Sequence, residues 1–352
     1  MRAFIQKYYQ PWFCALILSL FGIGLRVCTL AGRPLSGDEI FQFNNVTGPF
    51  KPFWQHLHYG DHTSFPGDYL LTYPFVRIFG LNKWALSIPH LILTALGFYL
   101  LFRLCRGIFR TTTATVITFA LYAVNQNLIY HALEFRSYSV LPVLAVGNYY
   151  FWDLIINDYS NLKPWQRWGI GCFFIFTSIY HSYGILIFIL PLIYLIWDQP
   201  PGGRGAAKKY MGIMICLGVS LWAWYASANF FGIQFKEGIY SAKDTFRYIP
   251  NPLMKPLGFL KGVVGNLLGC RPLYFLLLGP VVSFFVPQKE VIKKIIFFAL
   301  FIIVPITLIL LIDIRNQYWF VQRQFVWIMP YFAIWIGWCW DSLFIYRTEV
   351  LL

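Results

Sequence analysis

Charge is what this sequence has least of. Its 352 residues hold 14 acidic side chains against 28 Lys and Arg, and charged residues altogether make up 12%. A soluble domain carries roughly 25%, so the chain lacks the polar surface needed to face water on every side. Metal-ligand spacing is missing too: the seven cysteines, an odd number, form no CxxC and no Cys/His pattern. Cys14, Cys28, Cys105, Cys172, Cys216 and Cys339 fall in apolar segments, where thiols act as small packing groups. Cys270 stands in a loop with no evident partner, so no disulfide framework is expected. No internal repeat is visible, which argues against an inverted-repeat transporter.

What the chain has in excess is apolar length. Hydrophobic residues reach 58%, aromatics 20%, and the mean hydropathy is +0.59. Runs long enough to cross a bilayer, roughly 17–25 residues, occur near 12–31, 88–105, 114–132, 139–157, 211–231, 271–287, 295–312 and 325–346. The run 168–198 is too long for one span without steep tilt. Its middle, His181-Ser182-Tyr183-Gly184, predicts two short helices joined by a turn. The first run, preceded by Arg2 and Lys7, lacks a small-x-small cleavage site and is expected to be a retained span. The predicted fold is all-α: a polytopic bundle of about ten spans, forming a single transmembrane domain over residues 1–352.

Basic residues orient it. With a hairpin at 168–198, Arg2, Lys7, Arg103, Arg106, Arg110, Lys163, Arg167, Arg204, Lys208, Lys209, Lys289, Lys293, Lys294 and Arg347 all fall on one side. The positive-inside rule then puts both termini in the cytoplasm. It also accounts for the net charge of +14 by orientation and anionic lipid; no nucleic-acid partner is expected. Two long segments, 32–87 and 232–270, lie outside. The first contains an apolar stretch, Tyr69 to Gly80, suited to an interfacial or re-entrant helix. The basic second loop can face lipid phosphates or an acidic glycan, or simply the headgroups.

This threading sorts the ionisable groups. His56, His58, His62, His90, His131 and His181 approach the outer face, as do Asp38, Glu39, Asp61, Asp68, Glu134 and Asp313. Ionisable groups at membrane depth are costly and tend to mark function. Gly37-Asp38-Glu39, just after the first span, is the sharpest feature. An acidic pair there serves as a general base or a cation site, or more plainly as the start of a loop helix. His56, His58, Asp61 and His62 have the side chains of a metal site but no second motif to support one. Arg26, inside the first span, is expected to snorkel outward or face a cavity.

The order of these features resembles the GT-C-fold membrane glycosyltransferases, in particular the protein O-mannosyltransferase and aminoarabinose-transferase-like group. The acidic pair is followed by Asp61-His62-Thr63-Ser64-Phe65-Pro66-Gly67-Asp68-Tyr69, a degraded form of that group's D-x-H-P-P-L-Y-Y segment. Phe79-Gly80-Leu81-Asn82-Lys83-Trp84 follows, without the acid and arginine of the group's F-G-x-x-E-x-x-x-R pattern. Glu134-Phe135-Arg136-Ser137-Tyr138 is similar to the E-x-R-x-Y segment, Tyr180-His181-Ser182-Tyr183 to the T-H-Y turn, and Arg323-Gln324-Phe325 with Met329-Pro330 to the entry into a late span.

The resemblance implies sugar transfer from a polyprenyl-phosphate donor to a hydroxyl of a lipid, glycan or protein acceptor at the outer face, with inversion. It implies Asp38 as catalytic base, with Glu39 orienting the acceptor or Asp38. Arg136 and Arg323 become candidates for the lipid phosphate, and His62, His181, Asp61 and Glu134 for the phosphate or sugar. Each cation has a plainer reading: Arg136 paired with Glu134, Arg323 as an interfacial anchor, His181 closing its turn. No metal is assigned, although a divalent ion is compatible with the family. The compact form favours a bacterial inner membrane. No soluble outer domain is expected after the last span, which leaves acceptor recognition to loops 32–87 and 232–270. The reading from a different class is a transporter or flippase for a polyprenyl-linked glycan.

Overall fold

The computed structural model describes residues 2–47, 49–50, 66–80, 82–193, 205–229, 255–269, 271–285, 289–316 and 322–351. Every regular element among them is helical. In chain order these are α1 (Arg2–Gly32), α2 (Gly37–Val46), α3 (Pro66–Phe79), α4 (Lys83–Ile108), α5 (Thr112–Val124), α6 (Gln126–His131) and α7 (Leu141–Asp158). There follow α8 (Pro164–Tyr180), α9 (Gly184–Ile189), α10 (Gly205–Asn229), α11 (Pro256–Leu268), α12 (Leu278–Ser283), α13 (Lys289–Asn316) and α14 (Met329–Leu351).

Four segments among the described residues are long and apolar enough to cross a membrane: Pro11–Gly32, Lys83–Ile108, Ser137–Asn161 and Val291–Leu311. Each coincides with a run read from hydropathy. Two other regions differ from the expectation. The run 114–132 is broken at Asn125 into α5 and α6. Residues 256–268, expected in an outer loop, form apolar helix α11, which meets 272–283 at a bend of 99°. That bend follows Gly269, whose φ of 67° closes the helix in the left-handed region. The predicted turn inside 168–198 falls where expected, with α8 ending at Tyr180 and α9 beginning at Gly184. A Cβ on Gly184 would lie 1.9 Å from the Thr177 carbonyl oxygen, so glycine is required for this close approach.

The chain divides into two compact units: Met1–Gly32, Thr94–Ala132 and Ala242–Leu352 in the first, Arg33–Leu93 and Leu133–Ser241 in the second. In the first unit small residues let helices approach, as membrane interiors require. A Cβ on Gly22 of α1 would meet Ala123 of α5 at 2.9 Å, and one on Gly337 of α14 would meet Thr118 of α5 at 2.0 Å. Helix α5 is central here, and both of its ends carry a charge of the sign its dipole favours. At the N-terminus Asp341 of α14 accepts from the Arg110 amide at 2.9 Å, the Thr111 amide at 2.8 Å and the Thr111 hydroxyl at 2.5 Å. At the C-terminus the Arg26 guanidinium of α1 donates to the Tyr122 and Ala123 carbonyls, each at 3.0 Å, and to Gly22 at 2.8 Å.

Arg26 is therefore neither snorkelling nor facing a cavity. It is 2% exposed and satisfies carbonyls that the break at Asn125 leaves without helical partners. Asn125 completes the break. Its side chain accepts from the Asn127 and Leu128 amides and donates to Leu267 in α11 at 2.8 Å.

In the second unit α7, α8 and α9 bury a core around Trp152, Phe174 and Phe188, with Trp152 stacked on Phe174 at 4.4 Å between centroids. The Trp152 indole N–H donates to the Phe188 carbonyl at 3.1 Å, and Asn148 donates to Thr177 across α7 and α8 at 2.9 Å. All six cysteines among the described residues are free thiols.

Replacing Arg26 by Met would leave two buried α5 carbonyls unpaired. The expected outcome is a loss of about 2 kcal/mol, read as a lower unfolding temperature in detergent with membrane insertion unchanged; equal stability would remove Arg26 from this role.

Candidate active site

The sequence Ser36-Gly37-Asp38-Glu39 starts α2 by a capping box. Ser36 is extended (φ −76°, ψ 163°), its hydroxyl accepts from the Glu39 amide at 3.3 Å, and Glu39 accepts from the Ser36 amide at 2.8 Å. The helix dipole favours acids in this first turn. Successive helical residues are turned by about 100°, so the neighbouring carboxylates cannot share an environment. Glu39 points inward and is fully buried; the Asp38 side chain is 53% exposed.

Glu39 is held on every side. Arg33 grips it in a fork, Nη1 to Oε2 at 2.5 Å and Nη2 to Oε1 at 2.8 Å. The Ser36 amide adds a second donor to Oε2, and the Phe135 amide a second to Oε1 at 2.8 Å. Burial alone would push this carboxyl up. The Arg33 hydrogen bonds and charge, with the Ser36 and Phe135 amides, outweigh it and hold Glu39 below the ordinary carboxylate value. The same arginine reaches the Leu133 carbonyl at 3.3 Å, which also accepts from Ser87 of α4 at 3.1 Å. Segment 133–136 is thereby fastened to the start of α2.

That fastening sets Arg136 beside Asp38. Its Nη2 lies 3.8 Å from Asp38 Oδ2, and its side chain is 12% exposed. Its Nε and Nη1 are buried and have no hydrogen-bond partner among the described residues. Buried donors in that state are uncommon; Arg26 Nε and Arg167 Nε share it, but Arg136 has two such nitrogens. A short 3-10 turn, Ser137–Ser139, follows, and Tyr138 brings its ring to 5.0 Å from the His181 ring. His181 is buried, and its Nδ1 accepts from the Tyr183 amide at 3.0 Å, which assigns the ring proton of the neutral imidazole to Nε2. His181 thus closes the α8–α9 turn and lines the segment that carries Arg136.

A second buried carboxylate meets α2 one turn along from Glu39. Asp68, near the start of α3, is fully buried and accepts from Gln42 of α2, from Tyr180 at the end of α8, and at 3.1 Å from His90 of α4. Gly67 allows it, since a Cβ there would lie 2.7 Å from the Tyr180 backbone. Burial would raise the Asp68 carboxyl, but the hydrogen bond and charge of His90, then Tyr180 and Gln42, hold it low.

Of the residues singled out by sequence, the second unit brings together Asp38, Glu39, Glu134, Arg136 and His181. Glu134 is 9% exposed. Arg323 belongs to the first unit, on the 3-10 turn Gln322–Phe325. Asp61 and His62, with His56 and His58 of the suggested metal site, lie outside the described residues. Three participants escaped the sequence reading as site residues: Arg33, Gln42 and Tyr180. Asp68 and His90 stood out only as ionisable groups near one face, because nothing in their spacing couples positions 68, 90 and 180.

These features define an all-helical membrane chain with an exposed carboxylate beside a buried guanidinium. Residues 62–225 match the family model described as dolichyl-phosphate-mannose-protein mannosyltransferase, a GT-C-type glycosyltransferase family. The match agrees with the resemblance drawn from the motifs. It takes in Asp68, His90, Arg136 and His181, and begins after Asp38 and Glu39. A comparison with curated proteins finds no match.

Because Glu39 titrates below its unfolded value, its stabilisation is complete above about pH 4.3, the unfolded value, and is lost as pH falls through the folded one. Glu39→Gln is expected to lower stability at pH 7 and to flatten the acid limb of unfolding temperature against pH. An unchanged acid limb would show that the Arg33 fork contributes nothing.

Proposed function

We propose that this chain is an integral membrane glycosyltransferase that moves a sugar from a polyprenyl phosphate to an acceptor hydroxyl. The observation that carries the reading is the pairing of exposed Asp38 with Arg136, whose Nε and Nη1 have no hydrogen-bond partner among the described residues. A guanidinium meets phosphate in a bidentate fork, and such a cation beside a leaving lipid phosphate lowers the barrier as charge develops there. The family match over residues 62–225 supports the same chemistry.

The division between the acids supports Asp38 as the base. A carboxylate offers about four acceptor positions, and in Glu39 four are filled by Arg33 twice, Ser36 and Phe135. Glu39 therefore orients Asp38 rather than taking a proton itself. Asp38 accepts the acceptor's hydroxyl proton as that oxygen attacks the anomeric carbon. The bond from the anomeric carbon to the phosphate oxygen breaks, and the polyprenyl phosphate leaves with the electron pair; in-line attack inverts the configuration. The proposed setting is the outer face of a bacterial inner membrane, in a bundle of about ten spans with cytoplasmic termini. His181 is a further contact for the donor, as are Asp61 and His62.

Purified protein given dolichyl-phosphate mannose labelled in the sugar tests this reading. Asp38→Asn is expected to insert and fold normally but to lower mannose transfer by at least about 100-fold. Full turnover in that variant would refute the assigned base, and movement of labelled lipid across vesicles without transfer would favour the flippase.

A further inference from the structure

Asp38 is useful to a reaction only if its helix presents it in one direction, and α2 has few ways of holding direction. It has ten residues, far too few for a helix to persist alone in water. Its apolar side is buried through Val46, and its two polar anchors are Glu39 and Gln42, the latter 1% exposed with its amide donating to Asp68. With about 100° per residue, Gln42 lies roughly 40° around the helix from Asp38 and 60° from Glu39, between the two. It is also one turn deeper, about 6 Å along the axis. Apolar packing at Val46 tolerates small rotations, whereas a second hydrogen-bonded anchor, one turn from Glu39, limits the roll of the helix.

The partner of this second anchor is itself immobile. Asp68 receives Tyr180 from α8 and His90 from α4 while sitting on α3. His90 is further fixed by its Nδ1, 3.2 Å from the Leu86 carbonyl oxygen. Its ring meets that of Phe135 edge-on at 6.3 Å, and Phe135 belongs to a buried cluster with Val46, Tyr69, Val76 and Leu86. Three helices thus converge on one carboxylate, and α2 is docked to it through a single amide.

We propose that Asp68 and Gln42 are positioning residues: the Asp68 node fixes the rotation of α2 and so sets the direction in which Asp38 is offered beside Arg136. This extends the transferase reading, on which its catalytic consequence rests, but the geometric part stands alone. Both residues are buried and bonded to each other. Their loss acts through Asp38, and errors of about 1 Å at a reacting group can lower rates by about 100-fold.

The test uses the full-length purified chain and two variants. Gln42→Leu removes only the α2 link and leaves Tyr180 and His90 on Asp68; Asp68→Asn weakens the node itself and is the second variant. Amide hydrogen exchange of residues 37–46 is expected to speed up about tenfold or more in Gln42→Leu, with residues 141–158 unaffected. With dolichyl-phosphate mannose as donor, kcat is expected to fall about tenfold or more while the donor KM stays within about twofold. Combining Gln42→Leu with Asp38→Asn is expected to cost no more than Asp38→Asn alone, because both act through one group. Unchanged exchange in 37–46, or losses that multiply in the double variant, would overturn the proposal. If the unsubstituted protein transfers no sugar while exchange in 37–46 still responds to Gln42→Leu, the transferase reading fails and the positioning of α2 stands.

Discussion

The fork between Arg33 and Glu39 is the interaction on which the second unit's candidate site depends. A carboxylate removed from water costs several kcal/mol after relaxation, and it persists only where charge and hydrogen bonds compensate it. Here the compensation comes from one guanidinium and two backbone amides, and each belongs to a different part of the local chain: the turn after α1, the helix cap and segment 133–136. Removing any one donor leaves a buried acceptor short. The cost of burying Glu39 is thus what ties these three pieces of chain together.

The first unit solves a similar problem with the opposite arrangement. Helix α5 is 13 residues long, about 20 Å at 1.5 Å per residue, too short to carry its unpaired ends out of an apolar interior. Asp341 and Arg26 reach those ends from α14 and α1. Each charge is stabilised by backbone dipoles instead of by a side chain of opposite sign. This explains why a cation in the first span and an acid in the last, which look like functional charges, serve the backbone. Arg26, Asp341 and Glu39 thus all fix helix ends or breaks.

Hydropathy was sufficient for the long elements because a span's length and composition are local properties. Runs 12–31, 88–105, 139–157 and 295–312 each reappear as helices, and the break at His181 was legible from one polar cluster in a long apolar run. The break at Asn125 was not, since Ala123-Val124-Asn125-Gln126 carries no proline or glycine and owes its geometry to Arg26 and to Asn125's bonds to α11. The acidic pair was visible as a motif, and its sequence context correctly suggested a helix start. What adjacency in sequence concealed was the opposite fate of its two members. Ser36 at the cap and Glu39 three residues later form a capping-box pattern, and that pattern already turns the second acid inward. Arg33 and Gln42 stayed invisible, and Tyr180 showed only as part of a turn motif, because their roles exist only once distant helices meet.

A general base needs a lone pair that faces the reacting proton, and a folded apolar interior allows few such groups. Three buried carboxylates among the described residues, Glu39, Asp68 and Asp341, have their oxygens taken up by donors. An acid that is to exchange protons with a substrate does best at the edge, where water reaches it, held there by groups that are themselves satisfied. Asp38 meets the first condition by its exposure and the second by its neighbours, with Glu39 beside it and Gln42 one turn below. Arg136 shows the complementary pattern, a buried cation with two donors directed at no described partner. An edge carboxylate and an under-satisfied guanidinium within 4 Å would be a poor device for stability. They form a sensible one for a reaction in which a proton is taken on one side and an anion departs on the other.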